Sequence, residues 1–129
     1  MQHIVPLAAI IAALAAPALA VPEAGDRLPA AFQPVDQSGT TRSLASLAGP
    51  NGLVLVFSRS AGWCPVCQAQ MVALKEAAAP LAAKGYGLAV ITYDATPVLE
   101  KFHTRQQLPY PLLSDVGSRL IRELGLVDA

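Results

Sequence analysis

Residues 53–70 of the chain read LVLVFSRSAGWCPVCQAQ. The five apolar residues at 53–57 predict a central strand buried on both faces, as in a parallel or mixed sheet. The Ala- and Leu-rich segment at 68–83 predicts a helix, with Pro65 placed near its first turn. The Cys-x-x-Cys motif at 64–67 therefore lies where a buried strand passes into a helix.

Strand-like and helix-like patterns alternate along the rest of the chain. Alternating strands and helices build layered α/β folds with right-handed crossovers. We therefore expect an α/β fold in which a mixed central sheet is flanked by helices. The patterns place strands near residues 31–36, 53–57, 88–93 and 109–113, and helices near residues 68–83, 96–107 and 115–124.

Proline and capping residues predict where the helices begin and end. Pro80 is expected to kink the helix at 68–83 or to split off its last turn. Thr96 is the expected N-cap of the following helix, with Pro97 at the first helical position. Asp94 ends the strand before that helix, and we expect it to cap the helix rather than to face the cysteine motif.

The composition excludes several classes of protein. The 129 residues are 53% hydrophobic and 14% charged, which is too apolar for a disordered chain. Nine basic and nine acidic residues cancel, so the chain lacks the excess positive charge of a nucleic-acid-binding protein. Two cysteines are too few for a disulfide-stapled scaffold.

All of the charged residues lie after residue 20, and residues 1–20 read MQHIVPLAAIIAALAAPALA. An apolar run that ends in an A-x-A pattern is typical of a cleaved signal peptide. The alternative is an uncleaved membrane anchor, but the run is short for a span and contains two prolines. We expect residues 21–129 to be one domain that works in a periplasmic or secreted, disulfide-permissive compartment, free of the membrane after cleavage.

The two cysteines have the spacing of a redox pair. Residues three apart on a helix have Cβ atoms about 5–6 Å apart, close to the separation that a disulfide requires. Free amides and the helix dipole at a helix start favour a thiolate, and thiol pKa values there fall to about 3.5–7.5. Cys64 and Cys67 are therefore the candidate catalytic residues.

The Cys-x-x-Cys motif has three other interpretations. A buried, inert cysteine pair is possible, although its position at a helix start favours access. A zinc site needs four ligands, and beyond the pair the chain after residue 20 offers only His103 and carboxylates. Haem attachment requires a histidine where Gln68 stands. We expect neither a metal nor a cofactor.

Three neighbours of the pair are candidate supporting residues. Arg59 either stabilises a thiolate and orients peroxide or is a solvated loop charge. Trp63 flanks the pair, either by packing or by presenting its exposed edge to a partner. Pro65 sets the first helical turn.

Several segments resemble one known family. These are VLVFSRS followed by WCPVCQ at residues 54–68, ITYD at 91–94 and YPLLSD at 110–115. They are similar to the redoxin branch (AhpC/TSA-type, peroxiredoxin-like) of the thioredoxin superfamily, over about residues 28–127. The resemblance implies a thioredoxin-like fold and an antioxidant oxidoreductase that performs thiol–disulfide or peroxide-reducing chemistry.

The resemblance leaves two assignments open. In a peroxiredoxin the attacking cysteine corresponds to Cys67, with Cys64 in place of a threonine. In a thioredoxin-type enzyme Cys64 attacks and Cys67 resolves the mixed disulfide. The implied partners are a thiol electron donor or a disulfide substrate protein, together with peroxide.

The chain also departs from the family pattern. Ser60 stands where the peroxiredoxin motif begins with proline, and the family's later arginine has no counterpart. A cis-proline loop, two strands and a last helix are expected beyond residues 125–127, so we expect an incomplete domain. The alternative function is a catalytically incompetent, redox-dependent binding module.

The export interpretation has a direct test. Because signal peptidase cleaves after an A-x-A pattern, the protein recovered from an exporting bacterial host should begin at Val21. N-terminal sequencing of the purified protein checks this. Recovery of a chain that still begins at Met1 in the membrane fraction would support the anchor instead.

Overall fold

The computed structural model describes residues 21–29 and 32–127. The signal peptide predicted at residues 1–20 lies outside this range. Among the described residues, no helix is both long enough and apolar enough to cross a membrane.

A four-stranded sheet forms the centre of the fold, and its strands are β1 (Val35–Asp36), β2 (Gly52–Phe57), β3 (Tyr86–Thr92) and β4 (Leu112–Ser114). The order across the sheet is β1-β4-β3-β2. β3 pairs in parallel with both β2 and β4, whereas β1 pairs antiparallel with β4. The predicted mixed central sheet is therefore confirmed.

The helices of the described residues are α1 (Leu44–Leu47), α2 (Pro65–Ala73), α3 (Lys75–Ala83), α4 (Thr96–Gln106) and α5 (Arg119–Glu123). Each parallel strand pair is joined by a helical connection, as the βαβ rule requires. The α/β class predicted from the alternating pattern is confirmed.

Two helix boundaries differ from the sequence predictions. The helix expected at 68–83 belongs to two helices that meet at Leu74, and Pro80 lies inside α3 rather than at the break. A proline inside a helix removes one backbone donor, and here the neighbouring turns continue around it. Thr96 is the first residue of α4 and not its cap; the N-cap is Ala95, without a side-chain hydrogen bond.

Two hydrophobic clusters cover the two faces of the sheet. Side chains alternate along a strand, so Leu88 and Val90 of β3 point into one cluster while Ala89 and Ile91 point into the other. The first cluster holds the cysteine pair together with residues of α2, α4 and β4. The redox motif is thus built into the core on the α2 face of the sheet.

β2 is an edge strand in the described part of the chain, contrary to the sequence prediction that it is central. Its residues are only partly buried, whereas β3, which has a strand on each side, is almost wholly buried beyond Gly87. The apolar run at 53–57 reports packing on both faces of the sheet. It carries no information about which strands pair alongside it.

Gly87 of β3 provides a test of how closely α1 packs on the sheet. A Cβ at position 87 would collide with the carbonyl oxygen of Leu47. Gly87→Ala should therefore lower the free energy of unfolding by about 1–3 kcal/mol, the usual cost of overpacking. Urea unfolding measures the change.

Gly39→Ala is the matched control, because position 39 has open space but a φ of 84°. Only backbone strain acts there, and the expected loss is about 1 kcal/mol. An unfolding midpoint of Gly87→Ala equal to that of the wild type would contradict the close packing of α1 on β3.

Candidate active site

Cys64 and Cys67 form a disulfide at the start of α2, with their Cα atoms 5.2 Å apart. Cys64 is the N-cap residue, and its Sγ accepts a hydrogen bond from the Cys67 backbone N–H at 3.3 Å. Pro65 occupies the first helical position, where its missing N–H costs nothing. The Cys64 sulfur therefore lies at the positive end of the helix dipole.

The disulfide is buried, whereas two large apolar residues beside it in the chain are exposed. Cys64 and Cys67 are 2% and 8% exposed, and both belong to the core cluster on the α2 face. Trp63 is 58% exposed and Val66 is 78% exposed. Exposed apolar patches commonly contact partner proteins. Trp63 and Val66, which we call the apolar rim, are therefore a candidate contact surface beside the pair.

Arg59 lies beside the Cys64–Cys67 pair. Its Nη2 donates to the Cys64 Sγ at 3.8 Å, within hydrogen-bond range for sulfur. The guanidinium also lies over the Trp63 ring, 5.4 Å from the ring centroid. A fixed positive charge beside a sulfur stabilises the thiolate over the thiol once the disulfide is reduced.

A buried tyrosine contacts α2 near the end of the helix. The Tyr110 hydroxyl donates to the Met71 carbonyl oxygen, and burial raises the pKa of Tyr110 to about 12. The His103 Nε2 lies 3.1 Å from the Tyr110 carbonyl oxygen. His103 is half-buried and is joined to this tyrosine by that contact.

Asp94 contacts the loop at residues 58–63, which we call the redox loop. It does not cap α4, contrary to the sequence prediction. Its carboxylate accepts hydrogen bonds from the Ser60 hydroxyl and from the Ala61 N–H, each at 2.7 Å. Ser60 is fully buried. In the sequence, Ser60 stands out only because it replaces the proline of the peroxiredoxin motif. Its contact with Asp94 was therefore not predicted.

The signal for this contact was present in the strand pattern. Ser60 follows β2 and Asp94 follows β3, and these strands are parallel neighbours. The carboxyl ends of parallel strands lie at the same edge of a sheet, where functional side chains gather. Recognising β2 and β3 as neighbours would have placed the two polar residues together.

A groove of about 310 Å³ lies next to Arg59, between the end of β2 and α5. Its walls include Phe57, Tyr93 and Ile121. Ser58 also lines it, and the Ser58 Oγ is buried without a hydrogen-bond partner among the described residues. Arg59 is thus shared between this groove and the contact with the Cys64 sulfur.

A zinc site would require a cluster of ligand side chains. Within residues 21–29 and 32–127, no three or more His, Cys, Asp or Glu side chains gather as a metal site would require. His103, the zinc ligand considered in the sequence, instead contacts the Tyr110 carbonyl oxygen.

A mixed sheet whose parallel strand leads into a helix capped by a Cys-x-x-Cys disulfide is the architecture of a thioredoxin-like redox domain. The comparison with known families agrees with this architecture. The chain belongs to the AhpC/TSA family, whose sequence profile matches residues 24–129.

One curated relative is similar to most of this chain. It is 29% identical to peroxiredoxin bcp1 of Schizosaccharomyces pombe over 103 residues, 80% of this chain and 52% of the relative. The chain thus spans about half the length of this curated relative.

Two solved structures share the fold. Peroxidoxin BcpB from Mycobacterium tuberculosis superposes with a TM-score of 0.66 at 29% identity, covering 73% of this chain and 60% of that one. A secreted M. tuberculosis disulfide oxidoreductase homologous to E. coli DsbE superposes with a TM-score of 0.58 at 26% identity, covering 74% and 68%. The predicted thioredoxin-like fold is therefore confirmed.

The contact between Arg59 and Cys64 has a measurable consequence. Arg59→Gln removes the positive charge beside the sulfur, and we expect it to raise the pKa of the reduced Cys64 thiol by about one unit. The pH dependence of thiolate absorbance at 240 nm measures the shift.

Arg105→Gln is the matched control, because the Arg105 guanidinium lies 5.6 Å from the centroid of the Phe102 ring on α4. It removes one arginine stacked on an aromatic ring without touching the cysteines. Equal thiol pKa values in the two variants would show that Arg59 does not act on Cys64.

Proposed function

We propose that the protein is a thiol-dependent peroxide reductase whose Cys64–Cys67 pair cycles between dithiol and disulfide. The observation that carries this proposal is the position of the Cys64 sulfur. It accepts the Cys67 N–H at the helix start and lies 3.8 Å from the Arg59 guanidinium. Both contacts favour a thiolate, the reactive form of cysteine. Membership of the AhpC/TSA family supports the same chemistry.

We assign the nucleophile to Cys64, because both stabilising contacts reach its sulfur. The thiolate attacks one peroxide oxygen and breaks the O–O bond. The departing hydroxide or alkoxide takes up a proton, and Cys64 becomes a sulfenic acid. The Cys67 thiol then attacks the Cys64 sulfur, which forms the disulfide and releases water. An external dithiol supplies the two electrons and two protons that restore the pair.

The groove beside Arg59 supports peroxide entry. Arg59 lines this groove, and its guanidinium contacts the Cys64 sulfur. An arginine in this position donates hydrogen bonds to peroxide oxygens and stabilises the negative charge that develops on the leaving oxygen.

Direct thiol–disulfide exchange with a protein substrate is the second candidate. It is favoured by the exposed Trp63 and Val66 beside the pair and by likeness to the secreted M. tuberculosis disulfide oxidoreductase. Cys64 would attack the substrate disulfide, and Cys67 would release the reduced product as Cys64–Cys67 closes. An apolar rim suits a protein surface better than a small peroxide.

The proposed compartment is the periplasm or the exterior of the cell. The apolar segment at residues 1–20 with its A-x-A ending supports export. A Cys pair that is stable as a disulfide suits an oxidising space.

Single cysteine variants test both the activity and the nucleophile. With dithiothreitol as the electron donor, the wild type should consume hydrogen peroxide, and Cys64→Ser should be slower by at least about a hundredfold. Cys67→Ser should still form a sulfenic acid at Cys64, trapped by dimedone and located by mass spectrometry. A sulfenic acid on Cys67 in the Cys64→Ser variant would transfer the nucleophile role to Cys67.

The remaining outcomes separate the other functions. A wild-type protein that reduces insulin disulfides but does not consume peroxide would support the second candidate. A folded protein that is inert in both assays would indicate a non-catalytic redox-dependent binding module. Ser43→Ala, a hydroxyl deletion at the N-cap of α1 and outside the site, should leave both activities unchanged.

A further inference from the structure

Three consecutive backbone amides just before Cys64 donate to only two side chains. The Ala61 N–H donates to the Asp94 Oδ2 at 2.7 Å. The N–H groups of Gly62 and Trp63 both donate to the Ser60 Oγ, at 3.0 and 3.2 Å. The Ser60 hydroxyl in turn donates to the Asp94 Oδ1 at 2.7 Å. The loop backbone is thus bound through Ser60 to one carboxylate.

The Asp94 carboxylate is itself fixed to the sheet. The Thr92 hydroxyl donates to the Asp94 Oδ2 at 2.9 Å and accepts from the Asp94 N–H at 3.0 Å. Thr92 is fully buried at the end of β3. From β4, the Ser114 hydroxyl donates to the Asp94 carbonyl oxygen at 2.6 Å. The conformation of the loop is therefore set by the two central strands.

The same loop carries the residues that act on sulfur. Arg59 precedes Ser60 and Trp63 follows three residues later, and their side chains stack across it. The bond from the Trp63 N–H to the Ser60 Oγ closes this turn directly before the N-cap residue. Ser60 therefore bonds the backbone between the two residues whose side chains stack, Arg59 and Trp63.

We propose that Ser60 and Asp94 are positioning residues for the redox pair, which hold the 61–63 backbone so that the Cys64 sulfur meets both the helix start and Arg59. This assignment rests on the proposed redox function of Cys64 and Cys67. Neither residue contacts the sulfur in the described structure; both act through the backbone. The serine that interrupts the peroxiredoxin-like motif thus has a role of its own.

The alternative is that the network stabilises the fold and nothing more. A structural role would change the melting temperature, whereas a positioning role also changes the pKa of the reduced Cys64 thiol. Ser60→Ala tests this, since it removes the acceptor of two amides without changing any charge. A shift in the thiol pKa in this variant reports geometry rather than electrostatics.

We expect Ser60→Ala to raise the Cys64 thiol pKa by about one unit, which reduces the thiolate tenfold at a pH well below the pKa. Alkylation of the reduced protein by iodoacetamide across pH 4–10, with the modified cysteine identified by mass spectrometry, gives the pKa. Ser43→Ala is the matched control, because the Ser43 Oγ accepts the Ser46 N–H in a cap far along the chain. It should lower the melting temperature and leave the thiol pKa unchanged.

Thr92→Val keeps the proposal testable if Ser60→Ala does not fold. The substitution keeps the volume and removes only the hydroxyl that orients Asp94. Alkylation at pH 6 should slow about threefold, the effect of half a pKa unit. A folded Ser60→Ala or Thr92→Val protein with the wild-type thiol pKa would overturn the positioning role. A wild-type protein whose thiols both titrate near 8.5 would instead overturn the proposed function.

Discussion

The parallel pairing of β2 with β3 is the constraint on which the rest of the site depends. Phe57 lies opposite Ile91 in the register, and the Ser58 N–H extends the ladder to the Ile91 carbonyl oxygen at 2.9 Å. The two strands therefore end at the same edge, and the chain leaving β2 passes directly beside residues 92–94. The contacts of Asp94 with Ser60 and Ala61 follow from this alignment of strand ends.

The polar groups of the site have two roles: some bond the loop backbone, and others contact the Cys64 sulfur. The amides of residues 61–63 are fully used by Ser60 and Asp94, so they are not available to a ligand or to the sulfur. The donors left for sulfur are the Cys67 N–H and the Arg59 guanidinium. One negative group thus organises the backbone while one positive group contacts the sulfur. Their separation allows a carboxylate to lie near Cys64 without contacting its sulfur.

The sequence was sufficient for the α/β architecture, because that architecture depends on local patterns. The apolar runs gave the strands, and Cys64 with Pro65 and Cys67 gave the helix start. Lateral strand order was not predictable in the same way, and β2 was wrongly expected to be central. Asp94 was misassigned as a cap for the same reason. Its partner Ser60 is 34 residues away in the chain, and only the pairing of β2 with β3 brings them together.

The burial of the disulfide has a kinetic consequence. An attacking thiolate must reach a sulfur along the S–S axis, yet Cys64 and Cys67 expose 2% and 8% of their surfaces. A sulfur this enclosed can be reached only after the residues around it move. The rate at which a small reductant such as dithiothreitol reduces the disulfide should therefore stop rising at high concentration, at a ceiling set by the frequency of that local opening.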